Sequence, residues 1–231
     1  MAPYPHTALE QLEENLWVVE GSIPKNPLKR RMSIVQLSDG RLVLHSPILM
    51  DETSMAQMEA KGPVGFVIIP NGYHRIDARA FADRYPEAKI LCPRESEKRI
   101  AEVVRIDGYL DAFVEDPALA VEVLNGGKVG EGVLIVRSNA GVSLVFNDTL
   151  FNVHQVEGAF RRFMLRMAGS FGGPKVTPLG RLILVRDKRK LASHLHRLAD
   201  RPNLRHLIPG HGDVISADVN EALRSVAERL L

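Results

Sequence analysis

The sequence predicts a protein of the α/β (α+β) class, in which two β-sheets pack together and helices cover their outer faces. Three features of the order of elements support this: strands grouped early, then a strand–helix–strand–helix section, then a second group of strands followed by helix–strand–helix. A doubly wound parallel sheet would alternate strands and helices more regularly. No repeat or long linker divides the chain, so we expect a single domain over residues 1–231.

The first half of the chain predicts paired strands followed by crossover helices. Residues 32–37 and 41–45 flank Ser38-Asp39-Gly40, whose Asp-Gly pair is a strong hairpin signal. The other apolar, strand-like runs are 16–19, 65–69 and 89–92. The predicted helices are 51–60, with Asp51 or Thr53 as its cap, 77–85, capped by Asp77, and 93–100.

The second half predicts a second group of strands and three longer helices. The strands are 121–124, 132–137, 142–146 and 204–208. The helices are 158–168, 187–200 and a closing helix to Leu231 that Ser216 caps. Residues 169–178 hold three glycines and two prolines and therefore predict a loop.

Composition predicts an ordinary soluble protein of a reducing compartment, and we expect a cytoplasmic location. Lys and Arg number 30 against 28 Asp and Glu, a net charge of +2. The single cysteine, Cys92, cannot form an internal disulfide, and a buried inert thiol is favoured over a nucleophile. No apolar run approaches the roughly 20 residues that span a bilayer.

Histidine and aspartate residues stand just beyond several predicted strands. His45 ends one strand, His74 lies in the turn after another, and Asp148 and His211 follow two later strands. Sites in sheet proteins gather on loops at one edge of the sheet. Two imidazoles and a carboxylate that meet there would suit Zn²⁺ or a similar ion. Each residue alone is more ordinary: a loop histidine that hydrogen-bonds, or an aspartate that forms a turn.

These residues also carry a family resemblance. His74 after an apolar strand, Asn147-Asp148-Thr149-Leu150-Phe151 after a later one, and Ile208-Pro209-Gly210-His211-Gly212 near the end resemble the metallo-β-lactamase superfamily. The resemblance spans roughly residues 16–214. It implies a four-layer αβ/βα sandwich of the metallo-β-lactamase type, with a metal site at one edge of the two sheets.

The sequence departs from the superfamily signature, His-x-His-x-Asp-His. In that register Ile69 and Asn71 stand at the two histidine positions, Tyr73 stands at the aspartate position, and only His74 is kept. A further histidine is expected near Ser138-Asn139, where neither residue is one. The resemblance is therefore to a branch with an eroded signature. It implies at most a reduced, mononuclear site in place of a binuclear one.

The function we expect is that of a hydrolase-like protein with one Zn, Fe or Mn ion and a small-molecule substrate of unknown class. His74, Asp148 and His211 are the candidate metal ligands, and Tyr73 and Asp148 are the candidate catalytic residues. The Tyr73 hydroxyl would donate a hydrogen bond to a developing oxyanion. His45 or His154 would orient water or act as a fourth ligand. The alternative is a non-catalytic ligand- or partner-binding protein that keeps the fold without metal.

We expect neither a nucleic-acid nor a membrane partner, and the sequence leaves a homo-oligomer open. The basic runs 29–31, 161–162 and 186–190 are each flanked by acids or lie on a predicted solvated helix face. Aromatic residues make up only 6% of the chain, which disfavours a base-stacking surface.

The apolar stripe from Phe160 to Met167 favours core packing, with a lid, a dimer contact or membrane-surface attachment as alternatives. The glycine-rich segment 126–132 predicts a hairpin loop. A phosphate-binding loop is disfavoured because the segment lacks the Gly-Lys-Ser/Thr ending of that motif.

Overall fold

The structure is a computed structural model that describes residues 3–156 and 158–231. Its strands are β1 Glu10–Glu13, β2 Leu16–Ser22, β3 Lys29–Gln36, β4 Leu42–His45, β5 Val64–Ile68, β6 Lys89–Cys92, β7 Gly108–Tyr109, β8 Leu119–Val123, β9 Gly132–Ser138, β10 Gly141–Val145, β11 Phe151–Val153, β12 Gly172–Lys175, β13 Leu204–Ile208 and β14 His211–Gly212.

The helices in the same residues are α1 Glu52–Glu59, α2 Ala78–Arg84, α3 Glu97–Ile100, α4 Ala159–Met167, α5 Pro178–Leu184, α6 Lys188–Ala199 and α7 Val219–Glu228. Two short 3-10 turns lie at Arg94–Ser96 and Leu110–Ala112. Among the described helices, none combines the length and apolar character needed to cross a bilayer.

The first sheet contains β1 to β7 in chain order. Strands β1 to β4 pair antiparallel, and the predicted Asp39-Gly40 turn joins β3 to β4. Strands β4 to β7 pair parallel, and α1 and α2 lie in the connections before and after β5. The carboxyl ends of β4 and β5 therefore point to the same edge of this sheet.

The second sheet has the order β13-β10-β9-β8, and a small third sheet has the order β12-β11-β14. Strands β8, β9 and β10 pair antiparallel, and the glycine-containing segment 126–132 joins β8 to β9 as a hairpin loop. Strand β13 returns beside β10 in the parallel direction. The loops that follow β10 and β13 therefore leave the sheet side by side.

Three apolar clusters show that the layers are helices, sheet, sheet and helices. The central cluster joins both sheets and includes Val18 and Val43 from one and Val145 and Ile208 from the other. A second cluster packs α1 and α2 on the outer face of the first sheet. A third packs α6 and α7 on the outer face of the second sheet. The prediction of a four-layer αβ/βα sandwich is confirmed.

The prediction of a loop at 169–178 is wrong for its central residues, Gly172–Lys175. Strand β12 lies within it and pairs antiparallel with β11, which supplies hydrogen bonds that local propensity does not reveal. Helix α5 follows directly, and the Thr177 side chain caps it by accepting from the Gly180 N–H at 2.9 Å. Thr177-Pro178 is a readable helix start, since proline favours the first helical position.

One predicted helix cap is wrong, and another occupies the N-cap position without making a cap bond. Asp51 does cap α1, since its Oδ1 accepts from the Ser54 N–H at 2.8 Å. Asp77 makes no cap bond to α2 and is instead buried against Arg30. At the last helix Asp218 occupies the N-cap position, and the Ser216 hydroxyl contacts Nδ1 of His206 at 2.7 Å.

The favoured core position of the stripe from Phe160 to Met167 is contradicted. Helix α4 forms as predicted, but Phe160, Phe163, Met164 and Met167 are exposed. Within this helix only Leu165 has a buried side chain among the residues that the structure describes. Helical periodicity identified the apolar face but did not show which way that face points.

Candidate metal centre

The structure brings His74, Asp148 and His211 together at the edge where the two sheets meet. Oδ1 of Asp148 lies 2.9 Å from Nε2 of His74 and 3.1 Å from Nε2 of His211. One ligand atom from each residue lies within 4.8 Å of the other two. His74 comes from the loop after β5, Asp148 from the loop after β10, and His211 from β14.

The glycines of Pro209-Gly210-His211-Gly212 permit a close approach of two backbone segments. A Cβ atom on Gly210 would lie 2.8 Å from the carbonyl oxygen of Asn147. Gly212 has a φ of +92°, and a Cβ there would lie 2.1 Å from the carbonyl oxygen of Asn152. Larger residues at these two positions would push His211 away from the Asp148 loop.

A backbone hydrogen bond orients the His211 ring. Nδ1 of His211 donates to the carbonyl oxygen of Lys29 at 2.6 Å, since the carbonyl can only accept. Nε2 is therefore the ring nitrogen that faces Asp148 and that a metal ion would use. The turn at Pro209-Gly210, directly before His211, is also held by β3. The Arg31 N–H donates to the carbonyl oxygen of Gly210, and the Arg31 guanidinium donates to the carbonyl oxygen of Pro209.

His74 has a second partner on the side away from Asp148. The Ser46 hydroxyl lies 3.0 Å from Nδ1 of His74, and the Ser46 N–H donates to the carbonyl oxygen of Ile68. Ser46 has a φ of 55°, in the left-handed region that non-glycine residues rarely adopt. Such backbone strain is concentrated at functional sites.

Asn71 connects the His74 loop to Asp148. Its Nδ2 donates to Oδ2 of Asp148 at 2.7 Å, and its Oδ1 accepts from the backbone N–H groups of Tyr73 and His74. In the sequence, Asn71 stands out only as a departure from the signature. In the structure it is fully buried and fixes the second oxygen of the carboxylate.

Glu131 is a buried residue of this region that the sequence analysis missed. Its carboxyl group accepts from the backbone N–H of Asn147 at 2.8 Å and of Thr149 at 2.9 Å, on either side of Asp148. Burial, together with the nearby charge of Asp148, raises the pKa of Glu131 to about 8. The sequence offers one signal for Glu131, a single acidic residue directly before the apolar strand β9. That signal is easily missed, because the segment 126–132 also predicts a hairpin loop.

Asp148 is ionised despite its burial. Desolvation acts to raise its pKa, but the charges and hydrogen bonds of His74 and His211 outweigh that effect. The pKa of Asp148 therefore lies well below its ordinary value. The centre is an anionic oxygen placed between two imidazole nitrogens.

Neither additional histidine belongs to this group of donors. His45 is buried at the end of β4, and neither ring nitrogen has a hydrogen-bond partner among residues 3–156 and 158–231. Burial, and then the charge of His74, lower the pKa of His45 to about 3, so its ring is neutral. Nε2 of His154 lies 2.8 Å from Oδ1 of Asn152, and His154 lines a different, more polar cavity.

The three donors open into a cavity of about 340 Å³. Its walls are largely apolar and include Ile23, Leu28, Phe151, Leu179 and Ile183. Tyr73 lines the same cavity, is 51% exposed, and has the Arg99 guanidinium 4.5 Å above its ring. The arrangement places a polar centre at the base of an apolar cavity, as small-molecule sites do.

Comparison of the sequence with known families gives no match: neither a family model nor a curated protein is similar to this chain.

The structure, in contrast, is similar to solved metallo-β-lactamases over nearly the whole chain. The mono-zinc form of the metallo-β-lactamase FIM-1 from Pseudomonas aeruginosa superposes with a TM-score of 0.66 at 12% identity and covers 98% of this chain and 96% of its own. The enzyme from Erythrobacter litoralis gives 0.65 at 13% and covers 96% of each chain. The one from Hirschia baltica gives 0.63 at 13% and covers 96% and 98%. The chain therefore has the metallo-β-lactamase fold.

Proposed function

We propose that the protein is a metal-dependent hydrolase that uses a single divalent ion held by His74, Asp148 and His211. The observation that carries this proposal is the orientation of the donors. One carboxylate oxygen faces the Nε2 atoms of both imidazoles, while the Nδ1 atoms have partners of their own. Metal-binding histidines are held in this way by a hydrogen bond to the second ring nitrogen.

The donor set fits one ion better than two. Two imidazoles and one carboxylate match catalytic zinc sites, which keep a position open for water or substrate. Asn71 and Tyr73, which replace members of the signature, offer an amide and a phenol in place of an imidazole and a carboxylate. Zinc is our first choice, and iron or manganese also accept these ligands.

When bound, such an ion polarises a carbonyl or phosphoryl oxygen and lowers the pKa of a coordinated water. The chain supplies the positioning groups. Asn71 and Glu131 hold Asp148 in place, and we assign Tyr73 to donate a hydrogen bond to the oxyanion that develops on the substrate. The apolar walls exclude water and contact the apolar part of a small-molecule substrate.

Metal analysis of protein purified without a histidine tag tests this proposal. We expect about one equivalent of metal in the wild type and a near-complete loss in the variant with both His74→Ala and His211→Ala. The variant should keep the wild-type circular dichroism spectrum. His154→Ala is the matched control and should retain the metal. Undiminished metal in the double variant would falsify the assignment.

A specific observation favours the non-catalytic alternative. Both nitrogens of each imidazole and both oxygens of Asp148 have hydrogen-bond partners without any ion. A protonated imidazole beside Asp148 would satisfy the same geometry, and the cavity would then bind a ligand without metal. Wild-type protein that takes up no metal from excess zinc, iron or manganese would support this alternative.

We further propose that the chain acts as one domain in the cytoplasm. The central cluster is shared by both sheets, so neither half can bury its apolar face alone. The only cysteine is unpaired and buried, which fits a reducing compartment.

A further inference from the structure

Helix α4 presents an unusual apolar face to solvent. Phe160, Phe163, Met164 and Met167 are between 49% and 74% exposed. Their spacing of i, i+3, i+4 and i+7 places them on one face of the helix. Leu165, the buried side chain of α4, lies on the opposite side at about 100° per residue. The helix is therefore attached to the body of the protein through Leu165 and directs its apolar face outward.

The charges of α4 are all positive. Arg161 and Arg166 lie about 110° to either side of the centre of the apolar face, at its two borders, and the helix contains no acidic residue. Neither Arg161 nor Arg166 forms an ion pair with any residue that the structure describes. An exposed apolar face with arginines beside it is typical of helices that lie in the plane of a membrane interface.

The end of α4 lies beside the start of α5, since a Cβ atom on Gly169 would lie 2.6 Å from the Pro178 ring. Ser170 after α4, and Leu179 and Ile183 of α5, line the cavity of the candidate metal centre. Leu179 and the neighbouring Leu182 are exposed. A surface that binds α4 would thus lie close to the entrance of the cavity.

We propose that α4 binds the surface of an anionic lipid bilayer. Its apolar face enters the boundary between headgroups and acyl chains, and its arginines contact lipid phosphates. The positive charge decides between lipid and a second copy of this chain, because a symmetric contact between two α4 helices would bring the unpaired arginines of both copies together. The nine-residue helix is short, so we expect reversible binding.

Co-sedimentation of the full chain with vesicles tests this proposal. We expect binding to vesicles that contain about one third phosphatidylglycerol, and binding at least about tenfold weaker to phosphatidylcholine alone. High salt should weaken the binding to anionic vesicles. The proposal does not depend on the metal, so the metal-free protein should bind equally well.

Two variants separate the two contributions of α4. Phe160→Ser with Phe163→Ser removes apolar contacts, and Arg161→Gln with Arg166→Gln removes charge; each pair should reduce binding about tenfold. Val114→Ser changes an apolar residue that is 85% exposed outside α4 and should bind as the wild type does.

Three results would overturn the proposal. The first is a wild type that does not bind anionic vesicles, and the second is equal binding to neutral and anionic vesicles. The third is a dimer in light scattering that the Phe160 and Phe163 changes dissociate without any effect on vesicle binding. That last result would assign the apolar face to a second copy of the chain.

Discussion

Glu131 holds Asp148 in place without touching its side chain. The two oxygens of the Glu131 carboxyl group accept hydrogen bonds from the backbone N–H groups immediately before and after Asp148. The direction in which Asp148 points is thus set by a buried group at the start of β9. Groups that orient metal ligands in this way affect metal affinity although they do not touch the ion.

Glu131→Gln should therefore lower both the stability of the fold and the metal affinity of the centre. A glutamine offers one acceptor oxygen, so one of the two buried N–H groups loses its partner, at a cost of about 1–3 kcal/mol in the free energy of unfolding. If the centre binds zinc, affinity should fall about 10- to 100-fold. Urea unfolding and zinc titration measure the two effects. Glu115→Gln, at an exposed carboxylate, is the control, and wild-type behaviour of the Glu131 variant would contradict the role of this residue.

The predicted surface run Lys29-Arg30-Arg31 instead provides a buried ion pair. Arg30 is almost fully buried, binds the equally buried Asp77, and donates to the carbonyl oxygen of Pro47 at 3.2 Å. Arg30→Met alone should lower the free energy of unfolding by about 3–5 kcal/mol, since the buried Asp77 loses its cationic partner and keeps the Leu49 N–H as a donor.

The double variant with Arg30→Met and Asp77→Leu should be more stable than the sum of the two single changes predicts. Urea unfolding of the four proteins gives the coupling free energy. Strictly additive losses would show that the two side chains do not stabilise each other.

His194 should make the fold sensitive to acid. It is buried on α6, and its Nδ1 accepts from the Asn125 N–H at 3.1 Å. Burial lowers its pKa, with the neighbouring Arg197 acting in the same direction. The unfolded chain therefore binds a proton more readily than the folded protein, and stability that is present above about pH 6.5 is lost as the pH falls below that value.

His194→Gln should reduce this loss, because glutamine keeps an acceptor for Asn125 and does not titrate. Urea unfolding of both proteins at about pH 8 and about pH 5.5 gives the change in the free energy of unfolding with pH for each protein. Ser193→Ala, at an exposed residue of the same helix that does not titrate, should keep the wild-type pH dependence. An unchanged slope in the His194 variant would assign the acid sensitivity to other groups.

Cys92 should react slowly with thiol reagents. The residue is buried at the end of β6, and burial, followed by the charge of Glu97, raises the pKa of its thiol to about 12. Because only the thiolate attacks, reaction with Ellman's reagent at neutral pH should be at least about a hundredfold slower in the folded protein than in urea. Rapid labelling of the native protein would show that this part of the structure opens readily.

Local sequence signals located most of the elements because their causes are local. The Asp39-Gly40 turn and the Asp51 cap act over a few residues, and both could be recognised without coordinates. Strand β12 and the position of Asp77 could not, since a strand needs its partner β11 and a buried aspartate needs Arg30, which lies far away in the chain.

The sequence by itself determined the order of elements, the apolar periods of each strand and helix, and the three residue types available to bind an ion. Only the tertiary structure decided that His74, Asp148 and His211 meet, that Asn71 and Glu131 orient the carboxylate, and that the apolar face of α4 points to solvent. The physical reason is that periodicity describes one element at a time. Which faces meet, and which residues approach one another across the two sheets, depends on how all the layers pack together.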